Sequence, residues 1–209
     1  GFAEQTDYAG AAAIKILNFF EEYYGIDYPG SKLDLIAVPD FAMGAMENVG
    51  AVTFRETLLL IDVEKATRSE LSRSISVIAH ELAHMWFGDL VTMDWWDGIW
   101  LNEAFASLME VIASEATYPE FKLWNEMNQD RSRGFGVDSL KSSRPVEFEV
   151  KSPEEAEEMF DVLTYQKGST VLRMFETFIG EENFKKGVRS YLNKYEYKNT
   201  HSSDLWNEL

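Results

Sequence analysis

Residues 67–88 of this chain read TRSELSRSISVIAHELAHMWFG, and this stretch governs how the rest of the sequence is interpreted. Thr67 followed by Glu70 matches a capping box, in which the two residues satisfy each other's backbone N–H groups at the start of a helix. Apolar residues then recur at helical spacing, and Gly88 is placed to end the helix. The stretch therefore predicts an amphipathic helix with a defined start.

Two histidines, His80 and His84, lie on this predicted helix with Glu81 between them. Four residues of helix advance about 400°, so both imidazoles lie on one face and can bind one cation. A pair of neutral imidazoles suits zinc, and catalytic zinc usually takes three protein ligands and keeps one position for water. Other divalent ions accept the same ligand types. The histidine pair therefore predicts a metal site that needs a third ligand.

Glu103, on the next predicted helix in the stretch WLNEAF, is our candidate for that third ligand. It lies nineteen residues beyond His84, which is enough chain for a reversal that presents a carboxylate to the metal. Glu81 is then placed to take a proton from the zinc-activated water and hand it to a leaving amine. Glu110, two helical turns after Glu103 and on the same face, could point into the cleft or support the site from behind.

Composition restricts the classes of protein to which the chain can belong. It has 209 residues, enough for one large domain or two small ones, and a net charge of −17 that would repel nucleic acids and anionic membranes. It has no cysteine, so a metal must use nitrogen and oxygen ligands. No stretch has the 18 or so apolar residues of a membrane span. We expect a cytoplasmic protein without a nucleic-acid or membrane partner.

The order of predicted elements favours an α+β fold. A helix over 8–24, which Gly25 can close, precedes three predicted strands at 32–39, 49–54 and 58–61, of which two or three should pair in one sheet. Residues 41–50 read as a loop or an irregular sheet edge. Helices follow: the capped helix, one after Gly98, and four more at 117–130, 165–179, 181–195 and 202–209. Early strands and later helices argue against a doubly wound sheet.

These motifs together resemble those of the M1 family of zinc aminopeptidases, a gluzincin family. Its signature is H-E-x-x-H, eighteen residues and then E, which here is formed by His80, Glu81, His84 and Glu103. The family's upstream G-x-M-E-N motif corresponds to Gly44-Ala45-Met46-Glu47-Asn48, and its tyrosine before lysine and glycine corresponds to Tyr165-Gln166-Lys167-Gly168. Two or three motifs in one chain are far more specific than any one of them.

The resemblance implies a thermolysin-like catalytic domain, with a small mixed sheet packed on a mainly helical part, over residues 1–209. It implies one Zn²⁺ per chain and hydrolysis of the N-terminal peptide bond of peptides that have a free N-terminus. Glu47 would anchor the ammonium group, and residues 44–48 would bind an extended peptide along a sheet edge, with Gly44 permitting close approach. Tyr165 would donate its phenolic hydrogen to the developing oxyanion.

Two departures from the family pattern qualify this expectation. Val49 replaces the tryptophan that often follows the M-E-N triplet, which is a minor difference. Family members normally add an N-terminal β domain and a C-terminal helical domain that help to close the cleft. We therefore expect the chain to be a catalytic core that partners with such domains in a larger enzyme, and to bind zinc but to be weakly active or inactive alone.

Three alternatives remain open at this point. A thermolysin-like endopeptidase would share the metal geometry but would not need Glu47 as an ammonium anchor. A catalytically inactive binding module would be expected only if the metal ligands had been lost, and all of them are present. Opening of an epoxide by the zinc-bound water, as in one relative of the family, has no support from a lipid-specific feature.

Overall fold

The computed structural model describes residues 3–209, and these divide into two compact units. The first unit comprises the chain up to Trp86 together with Met109–Leu123, and the second comprises Phe87–Leu108 together with Trp124–Leu209. One long helix contributes its second half to the first unit and its first half to the second. The assignment of residues 1–209 to a single catalytic domain stays a prediction.

The helices and strands, in chain order, are α1 (Asp7–Tyr24), β1 (Asp34–Val38), β2 (Ala45–Met46), β3 (Ala51–Arg55), α2 (Glu56–Leu59), α3 (Arg68–His84), β4 (Val91–Met93), α4 (Ile99–Thr117), α5 (Leu123–Asp138), α6 (Pro153–Glu157), α7 (Gly168–Ile179), α8 (Glu181–Tyr195), β5 (Lys198–Thr200) and α9 (Ser202–Trp206). This content confirms the α+β class. None of these helices is both long enough and apolar enough to cross a bilayer, a statement that covers the described part of the chain.

The first unit contains a three-stranded sheet in the order β1-β3-β2; α3 lies against β2, and α1 packs on α3. Strand β1 runs parallel to β3, and the two-residue strand β2 pairs antiparallel with β3 from the other side. Two of the three predicted strands are thus confirmed as β1 and β3. The predicted irregular sheet edge at 41–50 is confirmed as well, because β2 is that edge.

The third predicted strand, at 58–61, is wrong. Its first half belongs to the short helix α2, which is closed by a hydrogen bond of 2.8 Å from the Leu60 N–H to the Glu56 carbonyl. The Leu58 carbonyl accepts a further hydrogen bond of 2.6 Å from the Ser74 hydroxyl on α3. A run of four apolar residues has no period that distinguishes a strand from a helical turn. Tertiary contacts therefore determine which of the two forms.

Helix α3 begins as its sequence predicts. The Glu70 carboxylate accepts a hydrogen bond of 2.7 Å from the Thr67 N–H, and the Thr67 hydroxyl accepts one of 3.3 Å from the Glu70 N–H. The helix ends at His84, short of the predicted Gly88, and the chain then turns through the fully buried Trp86. The Trp86 ring lies 5.1 Å from that of Tyr24, which ties the end of α3 to the end of α1.

The second unit is mainly helical, around stacked aromatic rings. The Phe87 and Phe105 rings stack with their centroids 3.7 Å apart, and the Tyr191 ring stacks on Phe87 at 5.2 Å. The predicted helix at 117–130 begins later, at Leu123, since a short 3₁₀ turn (Pro119–Phe121) precedes it. A parallel pair of three-residue strands, β4 and β5, was not predicted.

Candidate metal centre

His80 and His84 lie one turn apart on α3 and face each other with their Nε2 atoms 3.2 Å apart. Two nitrogens that each lie 2.0–2.1 Å from a tetrahedral zinc ion would be separated by about 3.3 Å. The imidazole pair is therefore already at a spacing that suits two ligands of one metal ion. The expectation that both rings lie on one face of the helix is confirmed.

Glu110 fixes the orientation of one of these rings. Its Oε2 lies 2.9 Å from His80 Nδ1, within the first unit, and the two side chains are only 23% and 12% exposed. A carboxylate accepts hydrogen bonds, so this contact assigns the proton to Nδ1 and leaves the lone pair on Nε2. Such a carboxylate behind a histidine is a typical support for a metal ligand.

The third candidate ligand, Glu103, lies on α4 two turns before Glu110 and is buried. Ligand atoms of His80, His84 and Glu103 all lie within 4.8 Å of one another, a spacing that three ligands of one cation can share. Glu81 follows His80 on α3 and is also buried, at 5% exposure. Two imidazoles and one carboxylate form a donor set that suits zinc, so the residues present fit a divalent metal.

Residues 44–48 lie in the first unit at the edge of the sheet. Strand β2, which holds Ala45 and Met46, lies against α3, the helix that carries the two histidines. The Gly44 carbonyl accepts a hydrogen bond of 2.8 Å from the Arg55 N–H, which extends the pairing with β3 by one residue. Glu47 follows directly and is half-buried, whereas Asn48 is exposed and begins the turn into β3.

The structure does not itself require glycine at position 44. A Cβ atom there would meet only Leu58 Cδ1, at an ordinary contact distance of 3.9 Å. The backbone at this position is also not among those with positive φ, in contrast to Gly50 with φ of 74°. The role of Gly44 in the approach of a ligand stays a prediction.

Tyr165 lies in the second unit, in the middle of a π-helical turn (Leu163–Lys167) that runs directly into α7. Its side chain is half-buried. π-helical turns are rare and are often found at functional sites. The predicted helix at 165–179 is thus confirmed from Gly168 onward, whereas residues 165–167 belong to the π-helical turn.

Gly168, the first residue of α7, holds this turn close to α4 inside the second unit. A Cβ atom at Gly168 would lie only 2.6 Å from the Cβ of Ala104, the residue after Glu103. Only glycine permits this approach. The turn that carries Tyr165 is therefore anchored on the part of α4 that carries Glu103.

Sequence reasoning missed two residues beside the Tyr165 turn. Asp161 accepts hydrogen bonds from the backbone N–H groups of Leu163 and Thr164, and Arg144 donates to the same carboxylate. An aspartate two residues before the turn is a capping signal that could have been recognised. The arginine, 17 residues away, carried no local signal.

Comparison with known proteins places these observations in a family. The sequence model of the peptidase family M1 domain matches residues 8–209. The chain is 50% identical to endoplasmic reticulum aminopeptidase 2 of Homo sapiens over 205 residues, which are 98% of this chain and 21% of that protein. It is 49% identical to probable aminopeptidase 2 of Sulfurisphaera tokodaii over 210 residues, which cover 100% of this chain and 27% of that protein.

A plant protein matches in the same way. The chain is 44% identical to aminopeptidase M1 of Arabidopsis thaliana over 209 residues, which are 100% of this chain and 24% of that relative. The chain thus spans between a fifth and just over a quarter of the length of these curated relatives. Because the family's model covers nearly all of the sequence and the metal-ligand pattern is present in the fold, the chain belongs to peptidase family M1.

Proposed function

We propose that this chain is the catalytic part of a zinc-dependent aminopeptidase that hydrolyses the N-terminal peptide bond of peptides. The observation that carries the proposal is the buried cluster of His80, His84 and Glu103, whose donor atoms are close enough to share one cation. Membership of peptidase family M1 and similarity to proteins named aminopeptidases support it further.

The cluster is suited to zinc for two reasons. Its donors are imidazole nitrogens and a carboxylate oxygen, the set that zinc accepts at open catalytic sites. The His80–Glu110 contact holds one imidazole in the tautomer that presents a lone pair at Nε2. A zinc ion bound there would supply Lewis-acid chemistry, lowering the pKa of a water molecule and polarising the substrate carbonyl.

Glu81 would act as the general base. It follows the ligand His80 on α3 and is almost completely buried, so its carboxylate is restricted to few positions. It would accept a proton from the attacking water and then pass it to the nitrogen of the leaving amine. This role would explain why the Glu81 carboxylate is buried next to a proposed metal ligand.

Two further residues complete the proposed site. The Tyr165 phenol would donate a hydrogen bond to the oxyanion as the carbonyl becomes tetrahedral. Glu47 would pair with the free ammonium group of the substrate, and the edge strand β2 would hydrogen-bond to the extended peptide by strand addition. The position of Glu47 directly after β2, which lies against α3, supports this role.

The ammonium anchor separates this function from a thermolysin-like endopeptidase, which would cleave internal bonds and ignore the N-terminus. We propose peptides with a free N-terminus as the substrate class. We also propose that domains of a longer chain are partners, since the relatives are about four to five times longer than the matched segment. A cytoplasmic location remains our proposal for the compartment.

The test uses zinc-loaded protein and a matched pair of fluorogenic substrates with free and acetylated N-termini. We expect cleavage of the free substrate alone. Glu81→Gln should retain its zinc, measured by atomic absorption, and lose about 10²- to 10⁴-fold in turnover. Equal cleavage of the acetylated substrate would instead support the endopeptidase.

A binding measurement complements turnover, because the chain alone is expected to be weakly active. L-leucine hydroxamate, which has a free amine and a metal-binding group, should bind the zinc-loaded Glu81→Gln protein more tightly than its N-acetyl form. Glu47→Ala should abolish that preference, and Glu64→Ala, which removes an exposed carboxylate of the same unit, should preserve it. Failure of both probes to bind the zinc-loaded chain would refute the proposal.

A further inference from the structure

We propose that Arg144 is a positioning residue for Tyr165, acting through Asp161 to hold the π-helical turn at 163–167. This inference rests on the proposed role of Tyr165 in the reaction. Arg144 does not belong to the motif that singles out Tyr165, and it lies 21 residues before it in the sequence. All the residues concerned belong to the second unit.

Arg144 connects three acceptors around the turn. Its Nη2 donates to Asp161 Oδ1 at 2.7 Å, to the Thr164 hydroxyl at 3.1 Å and, more weakly, to the Met159 carbonyl at 3.4 Å. The arginine side chain is only 12% exposed and that of Asp161 is 39% exposed, so the ion pair is shielded from solvent on its guanidinium side. A planar guanidinium in such a place fixes direction as well as distance, which a more mobile surface pair does not do.

Asp161 connects Arg144 to the backbone of the π-helical turn. The Oδ1 atom that accepts from Arg144 also accepts from the N–H groups of Leu163 at 3.0 Å and Thr164 at 2.9 Å. The Asp161 carbonyl accepts from the Tyr165 N–H at 3.1 Å. Three successive amides, ending with that of Tyr165 itself, are thus held by one residue that the arginine keeps in place.

The other end of the turn is held by the same segment of chain. Lys167 Nζ donates to Asp138 Oδ1 at 2.6 Å and to the carbonyl of Arg144 at 3.0 Å. Asp138 also accepts a hydrogen bond from the hydroxyl of Ser143. Arg144 therefore contacts the turn on both sides of Tyr165. Its side chain binds Asp161 and Thr164 before the tyrosine, and its backbone carbonyl accepts a hydrogen bond from Lys167 after it.

A π-helical turn needs such restraint because it competes with the ordinary α-helix. Removing the extra residue of the π turn shifts the helical register by one, which rotates a side chain by about 100° about the axis. A phenol that must meet an oxyanion within hydrogen-bond distance cannot tolerate this rotation. Fixing the turn is therefore equivalent to fixing the direction in which the Tyr165 side chain leaves the helix.

The first test is kinetic. Arg144→Gln should lower kcat by about 10- to 100-fold, because small displacements of an aligned catalytic group have effects of this size, with KM changed less than about threefold. Arg144→Lys, which keeps the charge but not the planar fork, should recover part of the loss. The control is Arg133→Gln, which breaks a 2.9 Å pair with Asp130 at a side chain 73% exposed and should leave kcat unchanged.

Hydrogen exchange provides a second readout that does not depend on activity. The amides of residues 163–165 should exchange faster in Arg144→Gln than in the parent protein, and at the parent rate in Arg133→Gln. Should Arg144→Gln fail to fold, judged by circular dichroism, Arg144→Lys and Asp161→Asn are measured in its place. Unchanged exchange in these variants would overturn the proposal, as would a kcat equal to that of the parent.

A double-mutant cycle separates this inference from the proposed function. If Arg144 acts through Tyr165, Arg144→Gln should not lower kcat further in a Tyr165→Phe background. Losses that simply add would show that Arg144 acts elsewhere and would refute the inference. If Tyr165→Phe alone leaves kcat unchanged, it is the proposed role of Tyr165 that fails, and with it the functional part of this inference.

Discussion

At the scale of the residue, the His80–Glu110 contact determines which nitrogen is left for a metal. The two Nε2 atoms of the histidine pair are 3.2 Å apart, and the proton of His80 is held on the far side of its ring by Glu110. A ring without this partner could rotate or change its tautomer, and each alternative removes a lone pair from the site. Glu110 thus holds His80 in the orientation that leaves its Nε2 lone pair available to a metal ion.

Glu110→Ala is expected to weaken zinc binding by about 10- to 100-fold, since loss of a carboxylate behind a metal-bound histidine typically has this effect. Zinc affinity can be measured by competition with a coloured chelator. Glu120→Ala, which removes an exposed carboxylate from the same unit, is the control and should retain the parent affinity. Equal affinities of the two variants would exclude a supporting role for Glu110.

At the scale of the element, α3 has a well-defined start and carries the two histidines of the candidate metal site near its end. Thr67→Ala removes the hydroxyl that caps the Glu70 N–H and should lower the free energy of unfolding by about 1 kcal/mol. Urea denaturation measures this change. Ser69→Ala, at a neighbouring exposed position that does not cap the helix, should have a much smaller effect.

The same capping box gives α3 a dependence on pH. Hydrogen bonds from the N–H and hydroxyl of Thr67 hold the pKa of Glu70 below its usual value. A carboxyl group whose pKa is depressed in the folded state stabilises the fold above its unfolded pKa, and this contribution is lost as the pH falls through the folded value. The difference in stability between the parent and Thr67→Ala should therefore shrink in acid, which urea titrations at pH 7 and pH 3 would detect.

The close contact between Gly168 on α7 and Ala104 on α4 leads to a separate prediction. Gly168→Ala would place a Cβ atom 2.6 Å from Ala104 Cβ and should lower the free energy of unfolding by about 1–3 kcal/mol, although alanine normally favours a helix. Ala104→Gly relieves the collision, so the double variant should recover part of the loss in urea denaturation. A double variant less stable than the sum of the two changes would contradict this explanation.

The elements also show where sequence patterns succeed and fail. The capped start of α3, the Gly25 end of α1 and the paired histidines follow from side-chain chemistry within a few residues, so they were predictable. The run at 58–61 carries no period, and its helical form depends on Ser74 from another element. The π-helical turn depends on Arg144, 17 residues before Asp161. Such contacts are set by the fold and leave no local pattern.

At the scale of the whole molecule, metal binding and folding should be coupled. The proposed ligands His80 and His84 are brought together by α3, so zinc should prefer the folded state and raise Tm. At a free zinc concentration of one hundred times Kd, the added stability is about 2.7 kcal/mol. Calorimetry with and without a chelator measures this shift. His84→Ala should abolish it, whereas replacement of the exposed His201 by Gln should preserve it.

Strand β2 has only two residues, and this affects whether two copies of the molecule can associate through their sheet edges. A sheet edge that can accept a peptide can also accept the same edge of a second copy, which is a common start of aggregation. Two residues of strand form too few ladder hydrogen bonds to bind a neighbour firmly, and a net charge of −17 repels it. On the proposed function, a peptide held at its N-terminus by other groups would need only those few bonds, so an edge too short for self-association would still be long enough for a substrate.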